Sequence, residues 1–430
     1  MAGVLGCARA GNGGLSLVQH LYSLGMYAAQ PLLRRKLRRR GEVEPGYLEH
    51  VEERFGHYDG TTEPGRLWIH AVSLGETRAA AILVEALRAV RPELRFLLTH
   101  GTATGRAEGV RLLQEGDAQA WLPWDTPRAV RGFLEHFRPC AGILMETEVW
   151  PNLAAACRER DLPLVLANAR LSEKSLQQAR RLARLSRPAY AALRSVWAQG
   201  EDDARRLAQA GATVKGVFGN LKYDATPDAA LLRQGRDWRS TSPLPVVMFA
   251  SSREGEEAEF LQAIAGRQGV QWLLVPRHPQ RFDEVAALVA QAGFSAARRS
   301  AWSESPAPAD VWIGDSLGEM PLYYGMADVA LLGGSFAPLG GQNLIEAAAC
   351  GCPIVMGPHT FNFGEAAELA QEAGAARRVG SMEEGVRAAV ELACDPAAQA
   401  AAAQAAERFA AAHRGAAAKT VDAVLALLER

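Results

Sequence analysis

Residues 333–364, GGSFAPLGGQNLIEAAACGCPIVMGPHTFNFG, read as a glycine turn, a helix opening, one carboxylate and a return strand. Gly333 and Gly334 follow an apolar run, Asp328 to Leu332, and Gly340 and Gly341 precede a helical run beginning near Gln342. Backbone amides at such a helix start can face a phosphate, and glycine removes the Cβ that would block its approach. Glu346, one turn into that helix, is placed to accept both hydroxyls of a ribose. An ordinary βα turn uses the same glycines, so this spacing leaves a nucleotide site and a structural turn both open.

Outward from this stretch the same strand–helix alternation fills the chain. LWIHAVS, RFLLTH, CAGILME, LPLVLANA and SVWAQG each precede a polar or amphipathic segment, and the rhythm restarts with PVVMFAS, QWLLVP, DVWIGD, ADVALLGG and CPIVMG. Apolar runs that are continuous rather than alternating predict strands covered on both faces, hence parallel sheets. Between the two series, DATPDAALLRQGRDWRSTSPLP (224–245) is polar and holds three prolines, which places a domain boundary there. A chain of 430 residues exceeds one ordinary core, so two doubly wound α/β domains are expected. The stretch from Met382 onward is alanine-rich and reads as helix, long enough to return toward the first domain. Ligands of doubly wound sheets bind beyond the carboxyl ends of the strands, so the chemistry is sought there, in a cleft between the domains.

Lys plus Arg number 47 and Asp plus Glu 48, a net charge of −1, so no global field marks a nucleic-acid partner. The six cysteines (Cys7, Cys140, Cys157, Cys350, Cys352, Cys394) lack paired CxxC or His spacing, which predicts buried, reduced thiols rather than a metal centre. No charged residue occurs between Ala10 and Leu33, and then Arg34, Arg35, Lys36, Arg38, Arg39 and Arg40 arrive together. Gln19, His20, Ser23, Gln30 and Pro31 make this a poor spanning helix. An interfacial anchor beside anionic headgroups is expected, with a basic helix folded against the domain as the alternative.

Several strand ends carry polar groups. Glu76, beside Gly75 after LWIHAVS, is either a general base or a first-turn helix acid favoured by the helix dipole. Glu146 and Glu148 of METEVWPN would share a face if extended, and each would then raise the other's pKa. Lys222 in GNLKYD can offer a cation to a carboxylate or phosphate, or face solvent. Ser251 and Ser252 in ASSREGEE form an anion site or a helix cap. Arg277 and His278 after QWLLVP suit a phosphate clamp, and GDSLGEM adds a glycine turn with Glu319. No Asp-x-Asp triad occurs, nor GxGxxG or GxxxxGK[ST], which disfavours a metal-bridged nucleotide diphosphate, a dehydrogenase and a kinase.

In order, SLGETRAA, METEVWPNL, ANARLSEKS, GNLKYD, VPRHPQRF, GDSLGEM and GGQNLIEAAACGCPIVMGPHTFNF resemble the 3-deoxy-D-manno-octulosonic acid (Kdo) transferases of lipopolysaccharide synthesis, from about Tyr22 to at least residue 390. The resemblance implies a GT-B glycosyltransferase, two Rossmann-like doubly wound domains facing a cleft with an N-terminal membrane-associating helix. It implies inverting transfer of Kdo from CMP-Kdo to a lipid A precursor at the cytoplasmic side of the inner membrane, with no metal or other cofactor. On this reading residues 1–40 are an extension and anchoring segment and 41–235 the acceptor domain. Residues 236–410 are then the CMP-Kdo domain and 411–430 a C-terminal helix.

Carried over by position, Glu76 resembles the catalytic base and Glu146 and Lys222 the transition-state stabilisers. Pro276, Arg277, Leu317, Gly318, Glu319, Asn343, Leu344, Ile345 and Glu346 fall on CMP-contacting positions. Arg253, Gln342 and Leu344 depart from the family's His, His and Pro, which bears on base recognition. Residues 1–12 have no counterpart. A UDP-sugar enzyme of the same fold and an inactive membrane scaffold are the competing readings.

Overall fold

A computed structural model of the chain describes residues 17–302 and 305–429. The expected extension over 1–12, with Cys7, lies outside the described residues. The described chain divides into two compact units. One runs up to Leu221 and takes back the residues from Gly415 onward, and the other spans Lys222–Arg414.

Seven strands form the sheet of the first unit: β1 (Leu67–His70), β2 (Phe96–His100), β3 (Ala118–Trp121), β4 (Ala141–Met145), β5 (Leu164–Ala169), β6 (Ser195–Ala198) and β7 (Val214–Val217). Their order is β3-β2-β1-β4-β5-β6-β7, with every pairing parallel. Another seven form the sheet of the second: β8 (Val246–Ser252), β9 (Gln271–Pro276), β10 (Ala296–Arg298), β11 (Val311–Ile313), β12 (Val329–Leu332), β13 (Ile354–Met356) and β14 (Ala376–Arg378). This sheet is also parallel, in the order β10-β11-β9-β8-β12-β13-β14.

All ten strands expected from apolar runs are present. The four that sequence reading missed, β3, β7, β10 and β14, are the outermost strands of their sheets. An edge strand is covered less, so it needs no continuous apolar run: VKGV of β7 has no buried residue, whereas LWIH of β1 is buried throughout.

Side chains of β1 alternate between two cores, as the pleat requires. Trp68 packs against Phe133 with ring centroids 4.9 Å apart, on one face of the sheet. Leu67 and Ile69 join the opposite core with Leu83 of helix α2 (Leu74–Val90) and Val421 and Val424 of the helix Ala416–Leu428. The alanine-rich stretch from Met382 is three helices rather than one, Met382–Ala393, Pro396–Ala412 and Ala416–Leu428, with Pro396 opening the second and Gly415 at φ 106° capping the third. Of the described cysteines Cys157, Cys350 and Cys352 are buried, while Cys140 and Cys394 are exposed, contrary to a uniformly buried set.

The first helix, α1 (Leu17–Gly41), turns its polar residues inward. Ser23 Oγ donates to Asn152 Oδ1 at 3.1 Å, Gln19 Nε2 reaches the same oxygen at 3.3 Å, and the Tyr22 hydroxyl bonds the buried Asp125. Leu17, Leu21, Leu24 and Leu32 stand exposed on the opposite face. Two of the residues that make α1 a poor spanning helix, Gln19 and Ser23, therefore dock it to the first unit. Among the described residues, no helix is long and apolar enough to cross a membrane.

Candidate active site

Inside the sheets the strand order reverses direction between β1 and β4 in the first and between β8 and β12 in the second, where β11 is also inserted between β9 and β10. Connections leave such a point toward opposite faces, opening a crevice beyond the strand ends. Glu76 follows β1 and Glu146 follows β4, while Arg253 follows β8 and Gly333 follows β12. The residues flanking both reversals are thus those that strand-end reading selects.

Glu76 sits in the first turn of α2, whose N-cap is Ser73. Its backbone N–H donates to Ser73 Oγ at 3.3 Å, and its carboxylate accepts from the Val72 amide at 2.9 Å and from Ser73 Oγ at 3.0 Å. This reciprocal cap is the structural role that the sequence left open. It does not end the matter, because burial pushes the Glu76 carboxyl up to about 7, with Glu146 and Glu148 adding to the rise against those hydrogen bonds. A cap that only served the helix would gain from staying ionised. Burial instead favours the protonated form of this one.

Glu146 is buried, and it lies in a turn at φ 57°, so it does not share an extended face with Glu148. Its carboxylate pairs with Arg170 at 2.9 Å. Glu148 accepts from Trp150 Nε1 at 2.9 Å, and burial, not Glu146, raises its pKa. Both acids contribute to the rise at Glu76.

Left-handed backbone recurs at two other strand ends, Asn168 (φ 51°) in β5 and Ser251 (φ 55°) in β8, each where the ladder register shifts. Bulges of this kind redirect side chains at the rims of sheets. Asn168 Oδ1 accepts from the Leu221 amide at 3.0 Å, its carbonyl accepts from Gln199 Nε2 at 2.9 Å, and Gln199 Oε1 accepts from Asn220 Nδ2 at 3.2 Å. Three strand ends therefore fix Asn220 and Leu221, the residues directly before Lys222 in the chain. Asn168 closes the expected strand LPLVLANA, and an Asn where a strand closes is the signal for a left-handed bulge.

In the second unit the glycine turn is already occupied. The buried Glu256 accepts backbone N–H groups from Gly334 at 2.7 Å, Phe336 at 3.1 Å, Ala337 at 3.1 Å and Arg253 at 3.0 Å. Those amides bind an internal carboxylate, not a phosphate. A Cβ on Gly333 would lie 2.2 Å from the Ser251 carbonyl oxygen, and one on Gly340 2.5 Å from Asn362 Nδ2, so close packing accounts for both glycines. Ser251 and Ser252 close β8, and the cap of the next helix, Glu256–Ile264, is Gly255; Ser252 donates instead to Glu257.

The remaining selected residues lie at other strand ends of the second unit. Pro276 is buried at the end of β9, and the Arg277 amide donates to the Ser252 carbonyl at 3.0 Å. Burial holds His278 below its ordinary value, helped by Arg253, Arg277 and Arg281, which marks a cationic cluster. Arg281 is neutralised within it by Glu257 and Glu284. Arg253 and Gln342 both lie against Gly334. Leu317 is exposed and Gly318 is left-handed at φ 82°. Glu319 pairs with Arg299 at 2.8 Å and accepts from Ser316.

The expected helix near Gln342 runs Leu344–Ala349, with Asn343 as its cap through a 3.1 Å bond from the Ile345 amide. Leu344 and Ile345 are fully buried, main chain included, so they shape the turn from beneath. Glu346, on the same first turn, raises the Tyr324 hydroxyl together with burial.

Residues 49–225 match the family profile of 3-deoxy-D-manno-octulosonic-acid transferase (kdotransferase). The chain is 48% identical over 422 residues to the 3-deoxy-D-manno-octulosonic acid transferase of Bordetella pertussis, covering 94% of this chain and 98% of that one. The chain belongs to this transferase family. The Haemophilus influenzae transferase is 33% identical over 81% of this chain and 84% of its own length. In fold, the transferase is similar to the UDP-GlcNAc 2-epimerase of Neisseria meningitidis bound to UDP-GlcNAc, with a TM-score of 0.55 at 15% identity over 84% of this chain and 99% of that one. Two parallel seven-stranded α/β units of this kind are the GT-B architecture, and the transferase is a Kdo-transferring glycosyltransferase.

Proposed function

We propose that the transferase moves Kdo from CMP-Kdo to a sugar hydroxyl of the lipid A precursor, with inversion and with Glu76 as general base. The observation that carries this reading is a half-buried carboxylate at a strand reversal whose pKa is raised to about 7. A base poised near the working pH combines an ionised fraction with proton affinity. The acceptor O–H proton passes to Glu76, and the oxygen bonds the anomeric carbon of Kdo. The bond from that carbon to the CMP phosphate oxygen breaks, and its electron pair leaves with CMP. Attack opposite the leaving group inverts the centre.

Glu146 and Lys222 stabilise the transition state, the carboxylate beside developing positive charge on the sugar and the ammonium beside the donor's carboxylate or the departing phosphate. The second unit is the donor domain. Arg277 holds the phosphate, Glu319 and Glu346 take ribose or base donors, and exposed Leu317 packs on the base. Pro276, Gly318, Asn343, Leu344 and Ile345 contribute main chain or shape. The first unit accepts the lipid, and the exposed leucines of α1 seat it on the cytoplasmic side of the inner membrane.

Glu76→Gln tests the assignment. It should lower kcat by about 100- to 10,000-fold while CMP affinity, read by calorimetry, stays within about twofold. Persistent turnover would remove Glu76 from the mechanism. UDP binding tighter than CMP would overturn the donor, and an NMR spectrum of the product showing retained configuration would overturn inversion.

A further inference from the structure

A second cationic feature lies in the first unit. The last turns of α1 and the 3-10 turn Pro45–Leu48 enclose a groove of about 780 Å³, lined by Arg35, Lys36, Arg39 and Arg40 with Leu32 and Val43 along its edge. Spacing of one, four and five residues puts the four cations on one side of the helix end. Arg34 is engaged elsewhere, gripping Glu52 through bonds of 2.6 and 2.9 Å and lying 3.7 Å over the Phe55 ring. Among the described residues none of the four groove cations forms an ion pair, and Glu44 is the one acid lining the groove. Like charges a turn apart repel, so this end of α1 is stabilised when an anion enters. Arg40 also lies 5.3 Å over the ring of buried Tyr47, which fixes the floor.

Two observations define the anion. First, Arg35 and Arg39 continue the exposed row of Leu17, Leu21, Leu24 and Leu32 along α1, so charge and apolar surface share one face. A ligand matching both is an amphiphile with an anionic head. Second, the groove adjoins the end of the sheet that carries Glu76. A Cβ on Gly46 would lie 3.2 Å from Ala103, whose neighbour Thr102 donates to the Val72 carbonyl at 2.9 Å, and the Val72 amide bonds the Glu76 carboxylate. Tyr47 in turn stacks on Trp121 at the end of β3.

We propose that this groove is a phosphate subsite for the acceptor, in which Arg35, Lys36, Arg39 and Arg40 bind a phosphomonoester of the glycolipid whose hydroxyl is presented to Glu76. Guanidinium forks match a dianionic phosphate with paired, charge-assisted hydrogen bonds. The inference deepens the functional reading above and rests on it.

The test uses the full chain in neutral detergent micelles, which carry no anionic surface. The variant is Arg35→Gln, Lys36→Gln, Arg39→Gln and Arg40→Gln together, with Arg39→Gln alone as a second, milder change. Acceptors are the phosphorylated lipid A precursor and the same lipid after phosphatase treatment. The wild-type chain should show a KM for the phosphorylated lipid at least tenfold below that for the dephosphorylated one. The quadruple variant should lose this preference and Arg39→Gln should lose part of it, and calorimetric binding of the phosphorylated lipid should weaken in parallel. Equal binding by wild type and variant in neutral micelles, with a difference only on anionic vesicles, would overturn the subsite in favour of diffuse surface attraction. Calorimetry reads the groove without turnover, so a wild-type chain that binds the lipid but transfers no Kdo would refute the functional reading and leave the groove supported.

Discussion

Glu76 performs two tasks that make opposite demands. As a helix cap it is best ionised, and as a base it must hold a proton well enough to remove one. Burial and the nearby acids settle the conflict by raising it to about 7 from an ordinary value of 4.5. Because the folded pKa is the higher one, the folded state holds the extra proton between these values. Stability from this group is full below about 4.5 and is lost as pH rises through about 7. Glu76→Gln, which keeps an acceptor for the Val72 amide, should therefore melt above wild type at pH 8, and the difference should close below pH 4.5. The wild-type kcat/KM should fall tenfold per pH unit below about 7 as the base is protonated. A flat profile from pH 5 to 8 would contradict both. At Asn168 the bond to the Leu221 amide is the testable part. Asn168→Gly keeps the left-handed backbone but removes that bond, and it should lower kcat roughly 10- to 100-fold through misplacement of Lys222. CMP affinity that fell as far as kcat would argue for general damage instead.

At the scale of elements, α1 departs from the pattern of a globular surface helix. Its polar residues Gln19, Tyr22 and Ser23 face the first unit, and its leucines face out. Leucines left in water cost free energy that headgroup insertion returns, in proportion to apolar area. Leu21→Asp with Leu24→Asp should abolish sedimentation with anionic vesicles while leaving the melting temperature within about 2 °C, since neither side chain is packed in the folded protein. A large fall in melting temperature would mean that the face is covered by protein. The sheets show why some elements were legible and others not. Central strands such as β1 and β8 are covered on both faces and carry continuous apolar runs, LWI and VVMFA, so they announce themselves. The edge strands β7 and β14, VKGV and ARR, owe their place to backbone pairing with a neighbour, which no local pattern encodes.

Over the whole molecule, the first unit is discontinuous in sequence and the second is not. The helix Ala416–Leu428 returns Val421 and Val424 to the first core, so the chain cannot be cut at one place without exposing apolar surface. Ligand linkage should separate the two units. At a hundredfold excess over its Kd, CMP should stabilise the unit that binds it by about 2.7 kcal/mol. Hydrogen exchange should then slow at the ends of β8, β9 and β12 and not around β1 and β4; the reverse pattern would exchange the donor and acceptor roles of the units. By itself the sequence determined two parallel α/β units, the strand ends that bear Glu76, Glu146 and Arg277, and a family resemblance that the Bordetella and Haemophilus relatives bear out. Those features are local, written in apolar runs and contiguous motifs. Only the tertiary structure decided what the glycines of 333–341 serve and what titrates near neutrality. Glu256 reaches the Gly334 amide across 78 residues of sequence, and Glu76 is raised by burial together with acids 70 and 72 positions away. Hydrogen bonding and desolvation depend on which groups folding brings together, and sequence spacing does not contain that information.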